Sequence, residues 1–264
     1  MNAYNFEYDG IQLRDLSYMI CSFDSEGLQT IGNGSQITFH TVPAACGLKQ
    51  EQVGSEYTEC LEAVFQICKN PCEFDDVTIS PEELRFFMKW LNRREYHKFK
   101  LLEEGYYDIY FEASFQISKI EYCGNICGLE LTMQTNRPHA LQDPRTITIE
   151  TTAANEKKTM IDTSDEEGYL YPHMEIRILN NGTLNISNSL DDRILSIAGC
   201  TTGEIITLDY PMIQSSLASH NIQKDFNWNF LRIANTFQTN RNDLTISLPC
   251  SIQLTYSPIA KLGM

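Results

Sequence analysis

No stretch of this sequence approaches the roughly 18–20 consecutive apolar residues that cross a bilayer, so nothing in it predicts a membrane-spanning helix. The first 30 residues lack a basic start followed by an apolar run, and the expectation is a product without a secretory signal. Catalytic signatures are also missing. None of the five histidines (His40, His97, His139, His173 and His220) sits in an H-E-x-x-H arrangement or beside a nucleophile. There is no G-x-S-x-G elbow, no G-x-x-x-x-G-K phosphate cradle and no dinucleotide G-x-G-x-x-G. Gly32-Asn33-Gly34-Ser35 is glycine-rich, but no helix signal follows it, and it reads as a turn. Positive charge is scarce: 20 Lys and Arg against 35 Asp and Glu leave a formal −15. That balance argues against non-specific adhesion to nucleic acid, which depends on cations meeting phosphates. It is compatible with a surface that DNA slides past without sticking.

What is present belongs to a globular protein. Hydrophobic residues make up 42% of the 264 and charged residues 21%, which excludes a disordered or fibrous chain. A chain of this size buries about 70–75% of its unfolded surface, enough for one large core or two modest ones. The nine cysteines are Cys21, Cys46, Cys60, Cys68, Cys72, Cys123, Cys127, Cys200 and Cys250. An odd count without a secretory signal reads as reduced thiols in a cytosolic product. Cys68/Cys72 and Cys123/Cys127 share a C-x3-C spacing, and four thiolates could hold a tetrahedral zinc. The usual knuckle is C-x2-C, so small buried side chains and turn residues are the favoured reading. Whether those four cysteines meet in space is not written in their spacing.

One helix is expected, over about residues 81–94. Ser80 suits its N-cap, Pro81 its first position, and Glu83 completes a capping box. Leu84, Phe87, Met88 and Leu91 recur at helical steps, widened by Phe86 and Trp90. Arg93 and Arg94 fall where positive charge suits the helix dipole. Most other segments alternate as strands. Tyr107, Ile109, Phe111, Ala113 and Phe115 form one series; Leu129, Leu131 and Met133 another; Ile147 and Ile149 a third. Ile176 and Ile178 flank Asn180-Asn181-Gly182 with Leu184 and Ile186, which predicts a hairpin. The longest series runs from Leu244 to Tyr256 and is interrupted by Pro249, which cannot donate to a ladder. It is read as two strands bent at that proline. Asn240-Arg241-Asn242-Asp243 is expected to be a turn joining them to an aromatic strand, Phe226–Phe230.

A boundary is expected near Asn136-Arg137-Pro138-His139, giving domains 1–139 and 140–264 with net charges of −10 and −5. The pattern is mainly β with one short helix: a mixed β domain followed by a β-sandwich or jelly roll. Adjacent carboxylates at Glu103-Glu104 and Glu166-Glu167 precede glycines and read as turn charges, since a glycosidase needs two across a cleft. Asp162–Gly168 lacks the oxygen-ligand spacing of a calcium loop. No catalytic, cofactor-binding or metal residue is therefore assigned. Segment 51–76 carries Glu51, Glu56, Glu59, Glu62, Glu73, Asp75 and Asp76 against Lys69 alone. It reads as a solvated face or as a surface that repels something anionic. The N-x-S/T sequons at Asn33, Asn181 and Asn185 carry little weight without a secretory route.

Ordered along the chain, several short motifs resemble the distal tail proteins (Dit) of long-tailed bacteriophages. Phe6-Glu7-Tyr8-Asp9-Gly10-Ile11 is similar to that family's opening strand. Ile79-Ser80-Pro81-Glu82-Glu83-Leu84 leads through Trp90-Leu91-Asn92 and Leu101-Leu102 to Tyr106-Tyr107, as the family's helix and following strands do. Leu129 to Pro138 resembles the run that closes its first domain. Tyr171–Ile176, Gly203–Asp209 and the Phe226–Tyr256 hairpin resemble its galectin-like second domain. The resemblance covers nearly the whole chain and implies an N-terminal β-sandwich or split-barrel ring domain plus a galectin-like β-sandwich. It further implies a non-enzymatic virion protein at the tail tip, assembled in the host cytoplasm as a homo-hexameric ring. The ring would join the tail tube protein to the tail-associated or tip protein and the receptor-binding apparatus, with DNA passing through unbound. In some members the last residues return to the first domain.

Two other functions compete. A carbohydrate-binding module needs exposed aromatics on one face, and Tyr169, Tyr171, Tyr210 and Trp228 are the candidates, although such residues are more often core. A wall-degrading glycosidase is the less supported, since no carboxylate pair emerges.

Overall fold

A computed structural model describes residues 5–23, 35–44, 47 and 49–262. Gly32-Asn33-Gly34 and Cys46 lie outside them. The chain divides into two compact units. The first holds the residues up to Gln142 and resumes at Ala260; the second is Asp143–Ile259.

In the first unit the strands are β1 (Phe6–Tyr8), β2 (Ile11–Gln12), β3 (Tyr18–Cys21), β4 (Ile37–Pro43), β5 (Gln50–Tyr57), β6 (Glu62–Lys69), β7 (His97–Leu101), β8 (Ile109–Tyr122), β9 (Asn125–Thr135) and β10 (Ala140–Gln142). The main sheet runs β2-β1-β7-β8-β9-β6-β3, with β10 pairing β8. Strand alternation decides which face it buries. In β8, Ile109, Phe111, Ala113 and Phe115 are buried while Tyr110, Glu112 and Ser114 are only partly so. Tyr107, expected to begin this series, lies in a turn and is exposed. Phe6, Tyr8, Phe65, Phe99 and Phe115 meet in one aromatic core. The Phe6–Phe99 and Phe99–Phe115 centroids are both 5.3 Å apart, tilted or edge-on, as the ring quadrupoles favour. Burying each such side chain contributes about 1.5–3 kcal/mol. Ala260 and Leu262 also pack into this core.

The helix α1 (Pro81–Leu91) lies against it. Its capping box is complete: Glu83 N–H donates to Ser80 Oγ at 3.2 Å, and Ser80 N–H to Glu83 Oε2 at 2.7 Å. It ends three residues before the expected limit. Asn92 leaves helical geometry and donates from Nδ2 to the carbonyl of Phe115 at 2.7 Å, while Arg93 donates from Nε to the last-turn carbonyl of Trp90 at 2.9 Å and from Nη1 to Asp9 at 2.6 Å. The buried stripe is Phe87, Trp90 and Leu91; Met88 and Phe86 are exposed. Trp90 takes the central place because its indole both stacks on Phe6, at 5.8 Å, and donates to the carbonyl of Tyr8 at 3.1 Å.

The second unit has β11 (Arg145–Glu150), β12 (Glu156–Ile161), β13 (Gly168–Leu170), β14 (His173–Ile178), β15 (Gly182–Asn188), β16 (Asp191–Cys200), β17 (Ile205–Asp209), β18 (Met212–Ser215), the short α2 (Ile222–Asp225), β19 (Ile233–Asn235), β20 (Arg241–Ile246) and β21 (Cys250–Tyr256). One sheet is ordered β11-β21-β14-β17-β18 and the other β12-β20-β15-β16, with β13 and β19 as a separate pair. Ile176, Ile206, Ile252 and Leu254 from the first meet Leu184, Ile186, Ile197 and Ile246 from the second in one buried cluster. This is a β-sandwich.

Three local expectations are corrected. Asn180-Asn181-Gly182 does not close a hairpin, because β14 and β15 belong to different sheets. Asn181 Oδ1 accepts instead from the N–H of Thr202 at 2.7 Å, pinning a crossing between layers. Arg241–Asp243 is strand rather than turn; Asn242 is fully buried there and its amide bonds to the backbone of Ala234 in both directions. Phe226–Phe230 is not a strand. It is an irregular segment whose Phe226 and Phe230 are buried with rings 5.0 Å apart. The break at Pro249 is real: β20 lies in one sheet and β21 in the other. Thr151 braces that corner, accepting the N–H of Cys250 at 2.9 Å.

Replacing Ser80 by Ala removes one half of the capping box. It is expected to cost about 1 kcal/mol, read as a lower urea midpoint with an unchanged slope for the full chain.

Candidate functional site

The acidic segment of the first unit is a surface feature throughout. Glu51, Glu56, Glu59, Glu62, Glu73, Asp75 and Asp76 are all exposed. Lys69, its single cation, is buried and committed elsewhere: Nζ lies 2.9 Å from Glu83 and donates to the carbonyl of Thr78 at 2.7 Å. Burial would raise the Glu83 carboxyl, but bonds from Ser80 and Lys69 outweigh it and hold it below the usual range. From outside the segment, Lys49 meets Glu51 at 2.9 Å and His40 lies 3.1 Å from Glu56.

The two C-x3-C pairs come together only in part: Cys68 and Cys127 both act on the Cys21 thiol and raise it. Cys72 and Cys123 are exposed, and Cys123 lies with Gly124 in the β8–β9 turn, both at positive φ. Cys68 is hydrogen-bonded to Cys21 on the neighbouring strand, and that bond lowers its thiol to about 7. Among the described residues no group of three or more His, Cys, Asp or Glu side chains is arranged to hold a metal. Glu103 and Glu104 sit in the turn between β7 and β8, where Glu103 O accepts the N–H of Tyr106. Asp162 is buried and accepts from the backbone and hydroxyl of Ser164, an Asx turn, so its carboxylate is spent locally.

One arrangement escaped the sequence reading. Glu204, fully buried, accepts from Ser215 Oγ at 2.5 Å and from the Thr201 N–H at 2.9 Å, and lies 2.5 Å from His220 Nδ1. His220 Nε2 is 3.0 Å from the carbonyl of Ala198 and 3.4 Å from Asp225. Serine, histidine and carboxylate are thus together, yet the geometry is not that of a nucleophile and its base. A base needs a ring nitrogen free for the hydroxyl. Here both nitrogens face acceptor oxygens, and Ser215 gives its proton to the carboxylate. The cluster clamps the β16–β17 connection to the segment ahead of α2. Burial would raise the Glu204 carboxyl; the bonds from Ser215, His220 and Thr201 reverse that and hold it low. A lone Glu after Gly203 and a His sixteen residues later give no signal of pairing in one sequence.

The four candidate aromatics form one exposed patch, contrary to the expectation that they are core. Tyr169, Tyr171, Tyr210 and Trp228 are 52%, 39%, 54% and 51% exposed. Tyr171 stacks on Tyr210 at 4.1 Å, Tyr210 meets buried Phe230 at 5.3 Å, and Trp228 meets the same ring at 6.4 Å. The Arg232 guanidinium lies 3.9 Å over Tyr169 and grips Asp191 at 2.5 and 2.8 Å. That grip keeps the Asp191 carboxyl below its usual range. Arg193 reaches Asn229 at 3.1 Å. The patch is a rim of flat rings and planar polar groups.

Two family models match this sequence. One, described as a phage tail protein N-terminal domain, covers residues 1–137; the other, a phage tail C-terminal domain, covers 139–256. No curated protein matches. Among solved structures, the chain is similar to the Dit protein of phage SPP1, described as a paradigm of the hub adsorption apparatus in phages that infect Gram-positive hosts. Identity is 10% and the TM-score 0.67, over 97% of this chain and 99% of that one.

Glu204→Gln is expected to destabilise the second unit by roughly 1.5–3 kcal/mol, the cost of losing hydrogen bonds to a buried charged group. Because the folded carboxyl is depressed, its stabilisation is complete above the ordinary carboxylate range and is lost progressively as pH falls from that range through the lowered folded value. Urea titrations of both proteins from pH 7 to pH 3 should therefore converge at the acid end.

Proposed function

The chain belongs to a family of phage tail proteins, and on that premise we propose that it is a distal tail protein, a structural block of the hub at the tail tip. The observation that carries this reading is the match of both units, in order and over nearly all of both chains, to a hub-protein fold. In this reading residues 1–139 build a homo-hexameric ring and 140–264 form a galectin-like domain. The ring joins the tail tube protein to the tail-associated or tip protein and to receptor-binding proteins, in the virion, after assembly in the host cytoplasm. Its role is mechanical and it performs no catalysis.

Charge supports the conduit part of the proposal. Six copies at −15 each carry −90, and the exposed carboxylates of 51–76 offer passing phosphates nothing to grip. Only charges within about 8 Å of the lumen act through physiological salt. Among the described residues β2 and β3 end the main sheet, and in this reading their backbone groups pair between copies, turning an aggregation hazard into closure.

Light scattering followed by negative-stain imaging tests the ring. A closed multimer with a central hole is expected, alone or with a tail neighbour; a strict monomer in both conditions overturns the reading. If the acidic segment lines the conduit, Glu59→Lys with Glu62→Lys should slow DNA ejection from assembled particles, and an unchanged rate removes that part.

The exposed aromatic patch favours a second reading, a carbohydrate-binding module acting on the host wall. Binding on a glycan array that is lost in Tyr171→Ala would support it; an array without signal removes it.

A further inference from the structure

Arg193 lies on β16, the strand that ends its sheet, and is half-buried. Its guanidinium donates to Asn229 Oδ1 at 3.1 Å and lies 3.5 Å from the Tyr171 hydroxyl. It therefore bridges the Tyr171–Tyr210 stack and the segment that carries Trp228. These contacts hold the fork in place, and neither neutralises it. Asp191 feels the charge of Arg193, but both Asp191 oxygens are taken by Arg232. Among the described residues no carboxylate forms an ion pair with Arg193. A guanidinium carries more N–H donors than these contacts use. Arg232 shows the same side chain in a packing role, fully paired. Arg193 is fixed, charged and unpaired in a chain whose formal charge is −15.

The neighbouring ring is presented at a conformational cost. Trp228 has φ of 60°, a left-handed backbone that bulky side chains rarely adopt. Such strain persists only where the surroundings over-determine it, and it gathers at binding sites. Here Asn227 supplies the constraint. Its Nδ2 donates to the Ile194 carbonyl at 2.7 Å, and its Oδ1 accepts the N–H of Ser196 and of Asn229, both at 3.1 Å. The indole is left half exposed beside Asn229 and Arg193.

Exposed rings interleaved with amides and a guanidinium match a ligand that is apolar on its faces and polar round its edge. A sugar ring has C–H bonds on its faces and hydroxyls at its rim. A protein partner would instead meet a contiguous apolar core with polar groups outside it. The unpaired guanidinium adds a sign, because its fork fits a carboxylate or a phosphate. A neutral sugar would leave that charge unanswered.

We propose that this rim binds an acidic saccharide, with a sugar ring laid on the aromatic faces and its carboxylate or phosphate on Arg193. The inference rests on the carbohydrate reading above and deepens it by naming the class of sugar and the residue that selects it.

The full-length chain has two tryptophans, and Trp90 is buried, so a change in indole emission reports on Trp228. The probes are galacturonate oligomers, phosphorylated mannose oligomers and neutral glucose oligomers, the first two separating carboxylate from phosphate recognition. At least one acidic series should bind about tenfold more tightly than the neutral one, as a hydrogen bond to a charged group implies. Added salt should erode that preference. Arg193→Gln should abolish it and leave neutral binding in place, whereas Tyr171→Ala should weaken every series. Matching circular dichroism melts establish that the variants are folded. The preference and its salt dependence are read on the parent chain and stand even if a variant unfolds. Equal binding of acidic and neutral probes, or a preference that survives Arg193→Gln, overturns the acidic class and leaves the carbohydrate reading intact. Silence with every probe, and on an array that includes acidic glycans, overturns both. Benzoylphenylalanine in place of Tyr210 that crosslinks another tail protein in assembled particles, with all saccharides silent, makes the rim a protein contact and likewise overturns the proposal.

Discussion

A β-sheet must bury one face and dispose of two edges, and this protein is shaped by how each unit meets that demand. The second unit does so by stacking two sheets on a shared aliphatic cluster. The first has one principal sheet, and its aromatic face is closed in part by α1, fastened through Trp90. Nearly all else follows from that difference. A sandwich hides its apolar faces within itself. A sheet under one helix leaves edges and appendages exposed, and the β4–β5 ribbon is one of these.

Much of the fold was legible because period-two alternation is a direct record of which face is buried. β8, β9, β14 and β21 could be read from their isoleucines, leucines and phenylalanines alone. The helix was equally plain at its start, where Ser80, Pro81 and Glu83 are local chemistry, but not at its end. There the stop is made by Asn92 reaching Phe115, a partner 23 residues away. Asn180-Asn181-Gly182 shows the same limit. An Asn-Gly pair specifies a sharp turn, not whether the strands on either side share a sheet. Phe226–Phe230 failed for another reason: five residues with alternating aromatics look like a strand whether or not a ladder is there to receive them.

The candidate surfaces were less legible than the fold. Exposure of Tyr171, Tyr210 and Trp228 depends on where three loops are set down, and nothing in their neighbours encodes that. The Glu204–His220 clamp was invisible for a related reason. It superficially contains the parts of a hydrolytic relay, yet every acceptor and donor is consumed in holding loops together. Composition of a cluster is a poor guide to chemistry; the direction of each proton decides. Here the buried polar groups hold the β16–β17 connection to the segment ahead of α2.

The corner at Pro249 has a mechanical meaning. Residues 241–256 pass from one layer of the sandwich to the other through a corner at Ser247 and Leu248 that is half-buried. A force that slides the layers past each other therefore loads a covalent backbone, braced at Thr151, as well as interdigitated side chains. Layers joined only by surface loops would yield first at their packing; here shear must stretch a taut peptide link. The short links after β14 and β16 cross between the layers as well, so sliding of the sheets is resisted by backbone at several points.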